Sequence, residues 1–143
     1  MHDFEAAVQR YYGDRPVMKR IDDALRAAGV DPERPSHRDL YPFDQLHSRG
    51  IVATREHAER ARIEPGMYVL DLGCGVGGAS RYLAAERGCR VAAIDLTPNF
   101  VEVARVLAAR CGLADRIEVR QAMRSLCRSK TAPSIMSGRT LSP

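Results

Sequence analysis

Residues 69–78 read Val-Leu-Asp-Leu-Gly-Cys-Gly-Val-Gly-Gly, and their reading decides the fold. An apolar run from Met67 to Leu72 leads into Gly73, Gly75 and Gly78, and a helix-like segment follows from Ala79 to Arg87, with Leu83 and Ala84 on one face. The order predicts a strand, a glycine turn and a helix, the opening of a nucleotide-binding βαβ unit. Gly73 permits the tight turn. Gly75 lets the backbone approach a ligand closely, because no Cβ intervenes, and Gly78 lets the helix pack against the strand.

A second apolar run, Arg90 to Asp95, ends in an acid 22 residues after Gly73. A carboxylate at that strand end can accept hydrogen bonds from both ribose hydroxyls of a nucleoside. A glycine-rich turn alone can be only a tight connection; the strands, the helix and the spaced acid together point to a nucleoside site. The fingerprint fits a dinucleotide as well as S-adenosylmethionine. Asp71, two residues before the first glycine, separates them. A dinucleotide brings an anionic pyrophosphate to this turn, which a carboxylate repels. S-adenosylmethionine carries an ammonium and a sulfonium and no phosphate, so Asp71 beside the crevice favours it.

Leu70-Asp71-Leu72-Gly73-Cys74-Gly75-Val76-Gly77 resembles the first motif of class I S-adenosylmethionine-dependent methyltransferases, and Ile94-Asp95-Leu96-Thr97-Pro98 resembles the segment that holds their ribose-binding acid. Upstream, Asp44-Gln45-Leu46-His47-Ser48-Arg49-Gly50 is similar to small-molecule methyltransferases of the ubiquinone-biosynthesis and glycine/sarcosine type. The resemblance covers roughly residues 40–122. It implies a doubly wound α/β domain. It also implies a cofactor site built from Asp71, Leu72, Gly73, Cys74, Gly75, Gly77, Gly78, Asp95 and Leu96, with His47 of the preamble as a contact to the cofactor or a substrate proton. The other reading of His47 is a surface or helix-start histidine, since no spacing fixes its position. The implied reaction is an SN2-like transfer of the sulfonium methyl to a nitrogen, oxygen or carbon of a small molecule, driven largely by alignment of nucleophile and methyl group. No catalytic base is legible. Tyr11 and Tyr12 are further candidates to cover the pocket.

A chain of 143 residues with 45% hydrophobic content suits one domain. The expected organisation is a helical preamble or cofactor lid over 1–65, a partial Rossmann-like domain over 66–122 and a tail over 123–143. The net charge of +4 arises wholly in the tail, from Arg124, Arg128, Lys130 and Arg139; residues 1–121 are balanced. Charge therefore supplies no argument for a nucleic-acid surface. The first ten residues hold no apolar run of signal-peptide type, and no stretch approaches the ~20 apolar residues of a membrane span. A cytoplasmic protein without nucleic-acid or membrane partners is expected. Cys74, Cys89, Cys111 and Cys127 form no Cys-x-x-Cys pair, which argues against zinc and a disulfide framework and predicts small buried or half-buried residues.

Along the chain, Phe4, Val8 and Tyr12 predict a first short helix over 3–12. Val17, Ile21, Leu25 and Ala28 predict a second helix, stopped by Gly29. Residues 30–43, with Pro32, Pro35 and Pro42, read as a loop, and a third helix is expected over 51–61, with His57 facing solvent. Then strands at 67–72, 90–95 and 116–121 alternate with helices at 79–87 and 98–111. Pro98 suits a first helical turn and Gly112 a stop. The alternation predicts a parallel sheet in the order 3-2-1.

After Ala122 the pattern breaks. The last 21 residues have no acid and hold five of the eight serines. Two readings account for this. One is a natural extension with no core of its own. The other is a shifted reading frame. Read one base earlier, the Met123–Arg124 and Met136–Ser137 junctions can encode Ala and Val, and the intervening positions permit a string resembling the acid, apolar loop and fourth strand expected in this family. On either reading the chain is expected to lack strand β4, and with it one wall of the crevice and one pairing edge of the first strand.

Overall fold

The computed structural model describes residues 16–44 and 50–122. Within them the order is α1 (Val17–Ala27), α2 (Tyr41–Asp44), α3 (Gly50–Arg60), β1 (Tyr68–Leu72), α4 (Gly78–Glu86), β2 (Arg90–Asp95), α5 (Pro98–Arg110) and β3 (Ile117–Gln121). The expected first helix, His47, Tyr11, Tyr12, Cys127 and the tail lie outside the described residues.

The elements follow from local chemistry. In α1 the apolar spacing buries Ile21 and Leu25 on one stripe, and Gly29, at φ +76°, turns the chain away. Residues 30–43 are not wholly a loop. Ser36 and Asp39 cap each other: the Ser36 N–H donates to the Asp39 carboxylate at 2.8 Å, and the Asp39 N–H donates to Ser36 Oγ at 3.2 Å. This reciprocal pair starts a turn that runs into the single helical turn of α2. Pro42 is tolerated there because an N–H in a first turn has no partner to lose. At the other end of the chain, Thr97 takes an extended conformation before Pro98 opens α5, and Gly112, at φ +72°, follows its end.

The three strands form one parallel sheet in the order β1-β2-β3. Val69, Val91 and Ile117 lie in one cross-strand row, and Asp71, Ala93 and Val119 in the next on the same face. Both rows are buried. They share a core with Tyr82, Leu83 and Ala84 of α4 and Val101, Ala104 and Ala108 of α5, so both crossover helices cover this face. The other face carries Leu70, Leu72, Ala92 and Ile94, all half-buried, and the exposed Glu118 and Arg120. Among the described residues, β1 pairs only with β2.

A second apolar cluster joins Ile21 and Leu25 of α1 and Leu40 to Val103 and Leu107 of α5 and to Val76 in the glycine turn. The preamble is thus packed on the domain rather than set apart from it. Arg110 of α5 reinforces the contact through Asp22 at 2.9 Å and the Pro32 carbonyl at 3.1 Å.

Candidate functional site

The glycine turn leaves β1 at the C-terminal end of the sheet and stays stitched to β2. The N–H groups of Gly73 and Cys74 both donate to the Ile94 carbonyl, at 2.7 and 3.0 Å. Gly73, Gly75 and Gly77 have φ of +71°, +56° and +84°, a region that side chains with a Cβ rarely adopt. The turn then closes as the Gly77 N–H donates to the Cys74 carbonyl at 2.9 Å, and α4 begins at Gly78.

Asp95, at the end of β2, faces this turn. Its Oδ2 accepts the Gly75 N–H at 2.9 Å, and its Oδ1 accepts the Thr97 N–H at 2.8 Å. One carboxylate therefore ties the glycine turn to the entry of α5. A carboxylate has about four acceptor positions, so each oxygen retains capacity for a hydroxyl donor. Leu96 follows at 36% exposure, the apolar residue beside that acid.

Asp71, expected beside the ligand crevice, is enclosed by protein. It belongs to the helix-covered face, is 4% exposed, and accepts a hydrogen bond from Ser80 Oγ at 2.7 Å. Burial pushes its pKa up to about 6; the Ser80 hydrogen bond opposes the rise and the nearby Asp95 charge adds to it. Asp71 therefore ties β1 to the first turn of α4.

Gly77 carries a constraint of its own, which the motif's spacing does not name. A Cβ at Gly77 would lie 3.0 Å from Arg81 Nη1 and 3.2 Å from Ala104 Cβ. Gly77 thus combines a left-handed backbone with close packing against α5, and Gly78 is the buried first residue of α4. Cys74 is buried in the turn, and burial raises its thiol pKa well above the usual range, which fits a packing role. Cys89 is also buried and Cys111 half-buried.

Three residues to which the sequence reading gave no role complete the constellation: Ser80, Arg81 and Asp44, the last the opening residue of the upstream motif. Arg81 is 1% exposed. Its Nη1 donates to the Val76 carbonyl at 2.6 Å and its Nη2 to Asp44 Oδ2 at 3.0 Å. The available signal was a Ser-Arg pair one residue after the glycines, but a polar pair in a first helical turn ordinarily faces water. Ser80 and Arg81 face inward because α4 is covered by the sheet and by the preamble.

His57 is exposed, as expected. Among the described residues no group of His, Cys, Asp or Glu could hold a metal ion, and no helix is long and apolar enough to cross a membrane.

Residues 69–133 match the family described as a methyltransferase domain. Over 87 residues the chain is 36% identical to phosphoethanolamine N-methyltransferase 1 of Zea mays, covering 61% of this chain and 16% of that protein. Also over 87 aligned residues, it is 40% identical to the sarcosine/dimethylglycine N-methyltransferase of Halorhodospira halochloris, covering 58% of this chain and 31% of that protein. A solved SAM-dependent methyltransferase from Thiobacillus denitrificans, in complex with S-adenosyl-L-homocysteine, superposes with a TM-score of 0.50 at 26% identity, covering 58% of this chain and 34% of that one. The chain thus spans less than a third of the length of these two curated relatives.

Proposed function

We propose that this chain, which carries the N-terminal half of a Rossmann-like S-adenosylmethionine-dependent methyltransferase domain, binds S-adenosylmethionine at its glycine turn and serves methyl transfer to a small molecule. The observation that carries the reading is the Asp95 carboxylate, which is held by the Gly75 and Thr97 N–H groups at the sheet's C-terminal end. Both carboxylate oxygens are fixed by main-chain donors, an arrangement that suits a vicinal diol. The glycine turn fits the group as well: Gly75 is buried with a left-handed backbone, so no Cβ competes for its space.

In this reading Asp95 receives the ribose hydroxyls, Leu96 covers the adenine, and Leu72, Gly73, Cys74, Gly75, Gly77 and Gly78 form the cradle. Asp71 supports them from beneath and supplies negative potential toward a cationic ligand. His47 belongs to the proposal as a preamble contact. Arg81 is committed to Asp44 and the Val76 carbonyl. It does not present a cation for a pyrophosphate, so the electrostatics favour S-adenosylmethionine over NAD.

S-adenosylmethionine supplies an electrophilic methyl on its sulfonium. The protein's part is orientation and exclusion of water, since methyl transfer of this type depends mainly on alignment. Both curated relatives are named as N-methyltransferases of small amines, and a small-molecule acceptor is proposed on that basis. Methyl transfer by the 143-residue chain itself is proposed to be slow, because the outer edge of β1 has no strand beside it among the described residues. The alternative reading is a non-catalytic cofactor-binding form; a less favoured third is an NAD-binding module.

Isothermal titration with S-adenosylmethionine, S-adenosylhomocysteine and NADH tests the assignment. The first two are expected to bind and NADH much more weakly. Asp95→Ala should weaken S-adenosylhomocysteine binding by about 10- to 100-fold, the worth of a charge-assisted hydrogen bond. Gly75→Val should block it sterically while circular dichroism reports a retained fold. Tight NADH binding with no response to the other two would overturn the cofactor.

A further inference from the structure

Residues 37–44 form a strap that lies along α4 and grips it at two places. At the C-terminal end of α4, Glu86 Oε1 accepts Tyr41 OH at 2.7 Å and Arg38 Nε at 3.1 Å, and stands 3.1 Å from His37 Nε2. Near the N-terminal end, Asp44 meets Arg81 in an ion pair with side chains 0% and 1% exposed. The first grip is partly open to water. The second is fully buried and reaches the glycine turn, because the same guanidinium holds the Val76 carbonyl and lies against Gly77.

Stability is a weak reason for such a pair. Removing two charges from water costs several kcal/mol each, and well-packed apolar replacements are often as stable or more so. Arg81 Nε also has no hydrogen-bond partner, which adds to the cost. What the pair provides is geometry. A guanidinium offers its donors in a rigid planar fork, so the position of Asp44 on the strap and the direction of the Val76 carbonyl in the turn are set by one planar group.

We propose that Arg81 is a positioning residue that couples docking of the 37–44 strap to the conformation of the Val76–Gly77 segment, so that cofactor binding and strap docking reinforce each other. The inference rests on the assignment of the glycine turn as the cofactor cradle. Arg81 acts through the turn and not by touching the ligand. By linkage, whatever the strap adds to cofactor affinity, the cofactor returns to strap docking.

The test uses the full chain, S-adenosylhomocysteine as probe, calorimetric affinity, and hydrogen exchange over residues 37–44 with and without the probe. In the wild type, the probe should slow exchange in the strap. The double variant Arg81→Met/Asp44→Leu removes both charges together and should keep its stability to urea. It should nevertheless bind S-adenosylhomocysteine about tenfold more weakly, and the probe should no longer slow strap exchange. Arg81→Lys keeps the charge but cannot span both partners, and an intermediate affinity is expected. A folded double variant with wild-type affinity would show the pair to be structural only and overturn the inference while leaving the cofactor assignment intact. Should the double variant not fold, wild-type affinity in Arg81→Lys overturns the inference in its place. No binding of the probe by the wild type would remove the cofactor assignment and this inference with it.

Discussion

At the residue scale, the site rests on two carboxylates with opposite fates. Asp95 is held by two N–H donors at the mouth of the turn. Asp71 is enclosed beneath it with Ser80 as its hydrogen-bond donor. Its pKa, raised from 3.8 to about 6, means that the folded protein disfavours the ionised form. Between those two values the folded state binds more protons than the unfolded chain, so this group's contribution falls as pH rises and levels off above about 6. Asp71→Asn keeps an acceptor for Ser80 and removes the buried charge. Its stability to urea should exceed that of the wild type by about 1–3 kcal/mol at pH 7 and converge with it near pH 4. S-adenosylmethionine binding should weaken in the same variant, since negative potential toward a cation is lost. Parallel stability curves across pH 4–7 would show that Asp71 is not titrating as its burial requires.

At the element scale, α4 is the part on which everything converges. Its N-terminal turn receives the glycine loop, its inner face packs on the sheet, and its C-terminal Glu86 anchors the strap. Hydrogen bonds from Tyr41, His37 and Arg38 hold the Glu86 carboxyl below its ordinary pKa range, against the opposing effect of burial. A carboxyl with a depressed folded pKa stabilises the protein at neutral pH and loses that contribution as pH falls below its unfolded value, near 4.5. Glu86→Gln should therefore cost about 1–2 kcal/mol at pH 7 and progressively less under acid, read by urea denaturation at several pH values. An effect of equal size at pH 3 and pH 7 would mean that shape, not charge, holds the strap.

At the scale of the whole molecule, the sheet is asymmetric. β2 is paired on both sides and β1 on one, among the described residues. On one face the sheet is covered by α4 and α5, while Leu70, Leu72, Ala92 and Ile94 on the other are only half-buried. The far side of the sheet is better protected, because Arg105 of α5 donates from Nε and Nη2 to the Val119 carbonyl of β3. Unpaired apolar edges invite association. Native-state hydrogen exchange of the 143-residue chain should find β2 amides the slowest in the sheet and β1 amides markedly faster. Protection of β1 equal to that of β2 would reveal a strand on its outer edge, supplied from outside the described residues.

What the sequence alone determined was local. Strand–turn–helix alternation, the ends of α1 and α5, the sheet order and the place of Asp95 at the end of the second strand all follow from periodicity, Gly and Pro chemistry and one spacing rule. Each depends on residues within about 25 positions of one another. The helical turn at 41–44 was hidden because three prolines mark a loop more visibly than the Ser36–Asp39 cap marks a helix start. The tertiary structure alone decided that Gly77 is crowded by Ala104, 27 residues away. It also decided that Asp71 is buried with Ser80 of α4 as its donor, because alternation assigns a face but not what covers it. Above all it decided the Arg81–Asp44 pair. A buried arginine looks like a surface arginine in sequence. Only the packing of the preamble over α4 removes its water and leaves a distant aspartate, 37 positions earlier, as its partner.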